Sequence, residues 1–252
     1  MKNELKERLY DGKVCLGTFM SIASPDIVDA LKNLEFDWFL FDTEHSTFSP
    51  SELKGMIQTL GESKAHPFVR IGQVDQYLVK QALDMGATGI LSPLVNSKEE
   101  ARKLVSYAMY PPLGVRGTGP GRASKYGMNF KEYLREANSE LLIGAQIETP
   151  AALTNIDEII STENIDIGFA GPADLTMSFG LVDERSNPKV IEAMQNVVDS
   201  CKRHGKIPGT LAANSDEAKK FIQMGFRFIS LASDMRFLLQ GARDFLSNVD
   251  KL

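Results

Sequence analysis

The chain has 252 residues, 43% of them hydrophobic and 24% charged, with a formal net charge of -5. That length can bury a sizeable core within one large domain, and the acidic balance argues against nucleic acid or an anionic membrane as partner. Two distant cysteines, Cys15 and Cys201, fit no metal or redox spacing; no apolar run nears the roughly 20 residues of a membrane span, and the polar start "MKNELKERLYDGKV" carries no signal core, so the chain reads as soluble and cytoplasmic.

Along the chain, short β-rich runs alternate with amphipathic helical runs. Strands are predicted at "VCLGTFM" (14–20), "FDWFLFDTE" (36–44), "PFVRIG" (67–72), "GILSPLV" (89–95), "LLIGAQIE" (141–148), "IDIGFAG" (165–171), "IPGTLA" (207–212) and "FRFISLA" (226–232). Helices fall between them, among them "SPDIVDALKNLE", "DQYLVKQALDMG", "SKEEARKLVSYAM" and "SDEAKKFIQMG". Ser24-Pro25, Ser49-Pro50, Ser97 and Ser215 suit helix starts, and Gly86 and Gly225 suit stops. Eight such units predict a (β/α)8 TIM barrel over residues 1–252 as one domain. A doubly wound sheet is the rival, and it needs fewer strands and a switch point.

A barrel places its chemistry at the C-terminal ends of its strands, and the polar residues of this sequence collect there. Glu44 and His45 follow the second strand, Arg70 ends the third, Gln146 and Glu148 end the fifth, and Asp174 follows the sixth. Charge is costly inside a strand, so the apolar run "FDWFLF" gives way to titratable groups where the barrel opens.

Glu148 and Asp174 lie one β/α unit apart, so neighbouring strands present them side by side. Adjacent carboxylates repel unless a cation or a shared proton intervenes. An all-oxygen pair favours Mg²⁺ or Mn²⁺ over zinc; the plainer reading makes Asp174 a helix cap and Glu148 a rim salt bridge. In "GFAGPADL" a strand runs into Gly171-Pro172 and a helix begins near Ala173-Asp174, whose first amides can hold an anion. Arg70 offers a bidentate fork to a carboxylate or enolate oxygen, or else a structural ion pair with Glu44 or Asp42. His45 is the candidate base, with Asp42 close in sequence. His66 and His204 fall at the barrel foot. No strand end carries the lysine a Schiff-base aldolase needs; Lys206 precedes the seventh strand, on the wrong face. The Gly-rich basic loop "YPPLGVRGTGPGRASKYG" (110–127) reads as a lid or a subunit contact.

"FDWFLFDTEH", "PFVRIG", "YPPLGVRG", "QIETPAAL" and "GFAGPADL" follow the order of the HpcH/HpaI aldolases, the metal-dependent (class II) pyruvate aldolases, and the sequence resembles that family from "LGTFM" to its last helix. The resemblance implies that Glu148 and Asp174 ligate Mg²⁺, Mn²⁺ or a similar cation such as Co²⁺. It also implies that His45 is the proton acceptor, that Arg70 stabilises the transition state, and that Gln146, Ala173 and Asp174 bind the keto acid. Asp84 would raise the basicity of that histidine, although the barrel reading puts it at a helix C-terminus, far from its own mouth. The family's hexamers, dimers of trimers with exchanged C-terminal helices, imply a homo-oligomer here, with "DMRFLLQGARDFLSNV" as the exchanged segment.

Two positions depart from the pattern: Thr43 stands where the family has Gly, which would resist a positive φ, and Met109 replaces an Arg before "YPP". The implied reaction is reversible cleavage of a 4-hydroxy-2-oxo acid to pyruvate and an aldehyde, with Phe19 and Leu211 as candidate walls of the acceptor side. The alternatives are a related metal-enolate lyase of acyl-CoA, citramalate or oxaloacetate-decarboxylase type, and a non-catalytic keto-acid-binding barrel.

Overall fold

The computed structural model describes residues 2–249 apart from 62 and 183. Eight strands close into a barrel in sequence order, every neighbouring pair parallel: β1 (Cys15–Met20), β2 (Trp38–Asp42), β3 (His66–Arg70), β4 (Gly89–Ser92), β5 (Leu142–Ile147), β6 (Ile167–Ala170), β7 (Ile207–Ala212) and β8 (Phe228–Ser233). All eight expected strands are present; most are shorter than the apolar run that announced them, because the flanking residues serve as turns.

The helices are α1 (Glu4–Tyr10), α2 (Pro25–Leu31), α3 (Pro50–Leu60), α4 (Gln76–Asp84), α5 (Lys98–Ala108), α6 (Phe130–Glu140), α7 (Pro150–Thr154), α8 (Ile156–Ile160), α9 (Pro172–Ser178), α10 (Pro188–Arg203), α11 (Ser215–Met224) and α12 (Asp234–Ser247). Ser49 and Glu52 form a capping box at α3, and the Ser97 hydroxyl accepts from Glu100 N at α5. The start of α11 differs from expectation: Asn214, one residue before Ser215, is the cap, because its Oδ1 accepts from both Asp216 N and Glu217 N. Gly225 closes α11 at φ 117°, a conformation only glycine takes without cost.

Alternation along each strand sorts side chains into two layers. Phe39 and Phe41 point outward into the shell shared with the helices, while Trp38 and Leu40 point into the barrel. The interior is a plug of Trp38, Phe68, Phe169 and Phe228, in which Trp38 and Phe228 stack with centroids 3.9 Å apart. Leu5 and Leu9 of α1 seal the foot beneath it. The same alternation carries upward. Asp42 lies two residues beyond Leu40, Arg70 two beyond Phe68, and Gln146 and Glu148 continue the parity of Leu142. The charged layer therefore sits on the inward face, directly above the plug.

Space in the plug depends on two glycines. A Cβ on Gly17 would lie 2.0 Å from the Trp38 ring, and one on Gly89 would lie 2.2 Å from that of Phe68. Gly17→Ala should therefore destabilise the barrel by about 2 kcal/mol through overpacking, read as a lower urea midpoint at unchanged slope.

Candidate active site

The mouth is organised by Arg70. Its Nε and Nη2 donate to Asp42 Oδ1 and Oδ2 at 2.9 and 2.8 Å, and Nη1 lies 3.0 Å from Glu44 Oε2. The registered pairing of Asp42 with Arg70 on adjacent strands produces the bidentate geometry. Both ion pairs entertained from the sequence are thus present. Glu44 Oε2 is buried but not aligned for a hydrogen bond, so that contact is one of charge without a directed bond. The guanidinium also lies over the Phe19 ring, 5.0 Å from its centroid.

Thr43 takes no left-handed backbone. Its N and Oγ1 both donate to the Arg70 carbonyl, at 3.0 and 2.6 Å, so the threonine is accommodated by extra bonds to the next strand. Beyond it, Glu44 N and His45 N donate to Asp42 Oδ1. The His45 ring is largely exposed, with Nε2 3.9 Å from Glu44 Oε1. Burial pushes the Glu44 carboxyl above its usual range, the charges of Arg70 and His45 draw it back, and Asp42 and Asp174 add to the rise.

Across the barrel, Glu148 is 4% exposed. Its Oε1 accepts from Leu94 N at 2.7 Å and its Oε2 from Gln146 Nε2. Gly171 caps α9, and a Cβ placed there would lie 3.0 Å from Asp174 Oδ2 and 3.1 Å from Glu148 Oε2. The two carboxylates therefore converge on one point beside a residue that has no side chain to intrude. Asp174 is not the N-cap of α9, which is Gly171, but stands in the first turn of that helix. Among the described residues, the partners of Glu148 are an amide N–H and a glutamine and not the cation of a rim salt bridge. Burial pushes its carboxyl up, Leu94 N pulls it partly back, and the charges of Asp174 and Glu44 push it up again. Ala173 lies in the first turn of α9, which starts at Pro172, and Gln146 Oε1 is buried without a partner among the described residues.

The structure thus brings Arg70, Gln146, Glu148 and Asp174 together on one face, with His45 at its rim. It does not bring Asp84 there. Asp84 ends α4 at the foot of the barrel, where it accepts from Arg116 Nη2 at 2.8 Å, so it cannot meet the His45 of its own chain. The basic loop lies at the foot as well: Arg116 is buried against Asp84 and Tyr133, and Arg122 donates to the carbonyls of Met85 and Ile57. It is no lid over its own mouth. Met109 is buried beside it, at the end of α5. His66, the first residue of β3, and His204, on Asp157, are also at the foot, as expected. Lys206 is there too, its pKa lowered by burial, far from any carbonyl bound at the mouth. Phe19 is buried beneath Arg70 and Leu211 is partly buried in the barrel layer. Sequence reading gave no role to the Leu94 amide or the bare Gly171; a backbone N–H and a missing Cβ leave no residue-type signal.

No helix among the described residues is long and apolar enough to cross a membrane. The sequence model described as HpcH/HpaI aldolase/citrate lyase matches residues 16–240. The chain belongs to the HpcH/HpaI aldolase/citrate lyase family. A Salmonella dublin relative named 4-hydroxy-2-oxo-heptane-1,7-dioate aldolase is 34% identical over 244 residues, 96% of this chain and 92% of the relative. An HpcH/HpaI aldolase/citrate lyase family protein from Burkholderia cenocepacia J2315 superposes with a TM-score of 0.95 at 29% identity, covering 99% of this chain and 100% of that one. The HpcH/HpaI aldolase of Desulfitobacterium hafniense DCB-2 gives 0.91 at 30% identity, covering 98% and 97%. Family membership thus extends over the whole barrel.

The raised carboxyl of Glu148 sets a sign. The folded state holds that proton more tightly than the unfolded state, so stability falls as pH rises from the ordinary carboxylate range through the raised folded value. In chelator-treated protein, Glu148→Gln should raise the melting temperature at pH 7 by a few degrees and leave it unchanged at pH 4, as calorimetry at the two pH values would record.

Proposed function

We propose that this protein is a metal-dependent aldolase that cleaves a 4-hydroxy-2-oxo acid reversibly to pyruvate and an aldehyde. The observation that carries this reading is the convergence of Glu148 and Asp174 beside Gly171, across the mouth from a paired Arg70. The whole-length likeness to a named 4-hydroxy-2-oxo-heptane-1,7-dioate aldolase supports it.

The residues present fit a divalent cation. No cluster of three or more His, Cys, Asp and Glu able to hold an ion occurs among the described residues, so the protein would offer two carboxylate ligands. Water and a chelating keto acid would fill the other positions, in the manner of Mg²⁺ or Mn²⁺, with Co²⁺ also compatible. Bound by Glu148 and Asp174, such an ion would polarise the keto group and offset charge building on its oxygen.

The chain's own groups supply the rest. Arg70 has N–H groups on Nη1 and Nη2 beyond those committed to Asp42 and Glu44, and these would face the developing oxyanion as fixed donors. Gln146 and the first-turn backbone at Ala173 and Asp174 would orient the substrate's carboxylate. His45, exposed at the rim and tethered through its amide to Asp42, would take the proton of the 4-hydroxyl as the C3–C4 bond breaks. Phe19 walls the acceptor side beneath Arg70, with Leu211 facing the same layer.

Asp84 could serve His45 only from a second subunit, since its own chain holds it at the foot. We read the protein as a cytoplasmic homo-oligomer, a hexamer built as a dimer of trimers. The support is α12, where Asp234 is the buried residue while Leu238, Leu239, Phe245 and Leu246 are exposed; an exchanged helix would cover that face. Analytical ultracentrifugation should give a mass near six chains, and Leu239→Glu/Leu246→Glu should shift it downward.

Activity is tested by pyruvate release from a panel of 4-hydroxy-2-oxo acids. Turnover should vanish in EDTA and return with Mg²⁺ or Mn²⁺; full turnover in EDTA refutes the metal reading. His45→Ala should slow cleavage about 10²- to 10⁴-fold while sparing pyruvate enolisation, followed by proton exchange in D₂O. Equal loss in both would give His45 another task.

A further inference from the structure

The turn after β4, "SPLVNS", contains a backbone anomaly at the mouth. Leu94 has φ 52°, a left-handed conformation that a branched, non-glycine residue adopts only under constraint. Its side chain is 55% exposed, so packing of that side chain does not hold it there. What the conformation achieves is the aim of its amide, which donates to Glu148 Oε1 at 2.7 Å.

The constraint comes from Asn96. Its Nδ2 donates to the Leu94 carbonyl at 2.9 Å, and its Oδ1 accepts from Thr149 Oγ1, the residue after Glu148. Its own carbonyl accepts from Asn155 Nδ2 at 2.8 Å, and its amide donates to Glu100 Oε2 at 2.6 Å. Asn96 is therefore fastened to the strand end that bears Glu148 and to the start of α5, and it grips the carbonyl of the left-handed residue of this turn.

We propose that Asn96 is a positioning residue. It holds Leu94 left-handed so that the Leu94 amide clamps Glu148 Oε1 and leaves Oε2 turned toward Asp174. This rests on the reading of Glu148 and Asp174 as the metal pair. Strained backbone kept in place by surrounding bonds is expected where a site must be preorganised, and bonds that orient a metal-binding carboxylate typically change affinity about 10- to 100-fold.

The test is Mn²⁺ binding to metal-free enzyme without substrate, followed by the electron paramagnetic resonance signal of free Mn²⁺. Wild type, Glu148→Gln, Asn96→Ala and the double variant Asn96→Ala/Leu94→Gly are compared. Asn96→Ala should weaken Mn²⁺ binding about tenfold. Glycine enters the left-handed region freely, so the double variant should recover most of that loss, a rescue that a merely structural tie would not produce. Asn96→Ser, too short to reach the Leu94 carbonyl, replaces Asn96→Ala if circular dichroism shows the alanine variant unfolded. Wild-type affinity in Asn96→Ala, with binding lost in Glu148→Gln, overturns the positioning role alone. So does a loss that Leu94→Gly leaves uncorrected. Absence of Mn²⁺ binding in wild type overturns the metal reading and this inference with it.

Discussion

The mouth of this barrel depends on one buried ion pair. Arg70 reaches inward from the end of β3 and is held by both oxygens of Asp42, its registered neighbour on β2. A guanidinium in that position must be paired, because an isolated buried charge is far costlier than the pair. Once paired it fixes the second loop: Asp42 Oδ1 also accepts the amides of Glu44 and His45, and Thr43 bonds to the Arg70 carbonyl. The rim histidine and the central arginine are therefore parts of one assembly.

That assembly leaves the mouth negatively charged. Asp42, Glu44, Glu148 and Asp174 meet a single arginine, and the rise of the Glu148 carboxyl, caused first by burial and then by Asp174 and Glu44, expresses the imbalance. Two carboxylates drawn together across a bare glycine are costly on their own, a cost that the proposed cation would offset. The structure has neutralising partners elsewhere, such as Arg116 for Asp84 and Arg8 for Asp37, and among the described residues no ion pair reaches Glu148 or Asp174.

The two ends of the barrel divide the work. The foot is sealed by α1, tied through Tyr10 to Asp166 and through Asn3 to the Glu140 carbonyl, and its histidines and Lys206 sit among structural contacts. The mouth keeps exposed polar groups on rigid strand ends. The basic loop, read from the sequence as a lid or a subunit contact, belongs to the foot, because a segment that follows α5 emerges where that helix ends. That position excludes a lid over the chain's own mouth.

Much of this was legible in one dimension. Chain order puts Glu44, His45, Arg70, Gln146, Glu148 and Asp174 at successive strand ends, and eight repeats of strand and helix predict the barrel; alternation groups Asp42 with Leu40 and Arg70 with Phe68, but with both faces apolar only the structure says which face is inward. Local chemistry likewise announces the helix starts, with Asn214 in place of Ser215 as a one-residue slip between two good capping residues. Distances across the barrel were not legible, because strands far apart in sequence become neighbours only on closure. The fork from Arg70 to Asp42, the approach of Glu148 to Asp174 at Gly171, the retreat of Asp84 to the foot and the left-handed turn at Leu94 all come from tertiary packing. Each depends on where a backbone or a side chain ends up in space, and no residue type encodes that by itself.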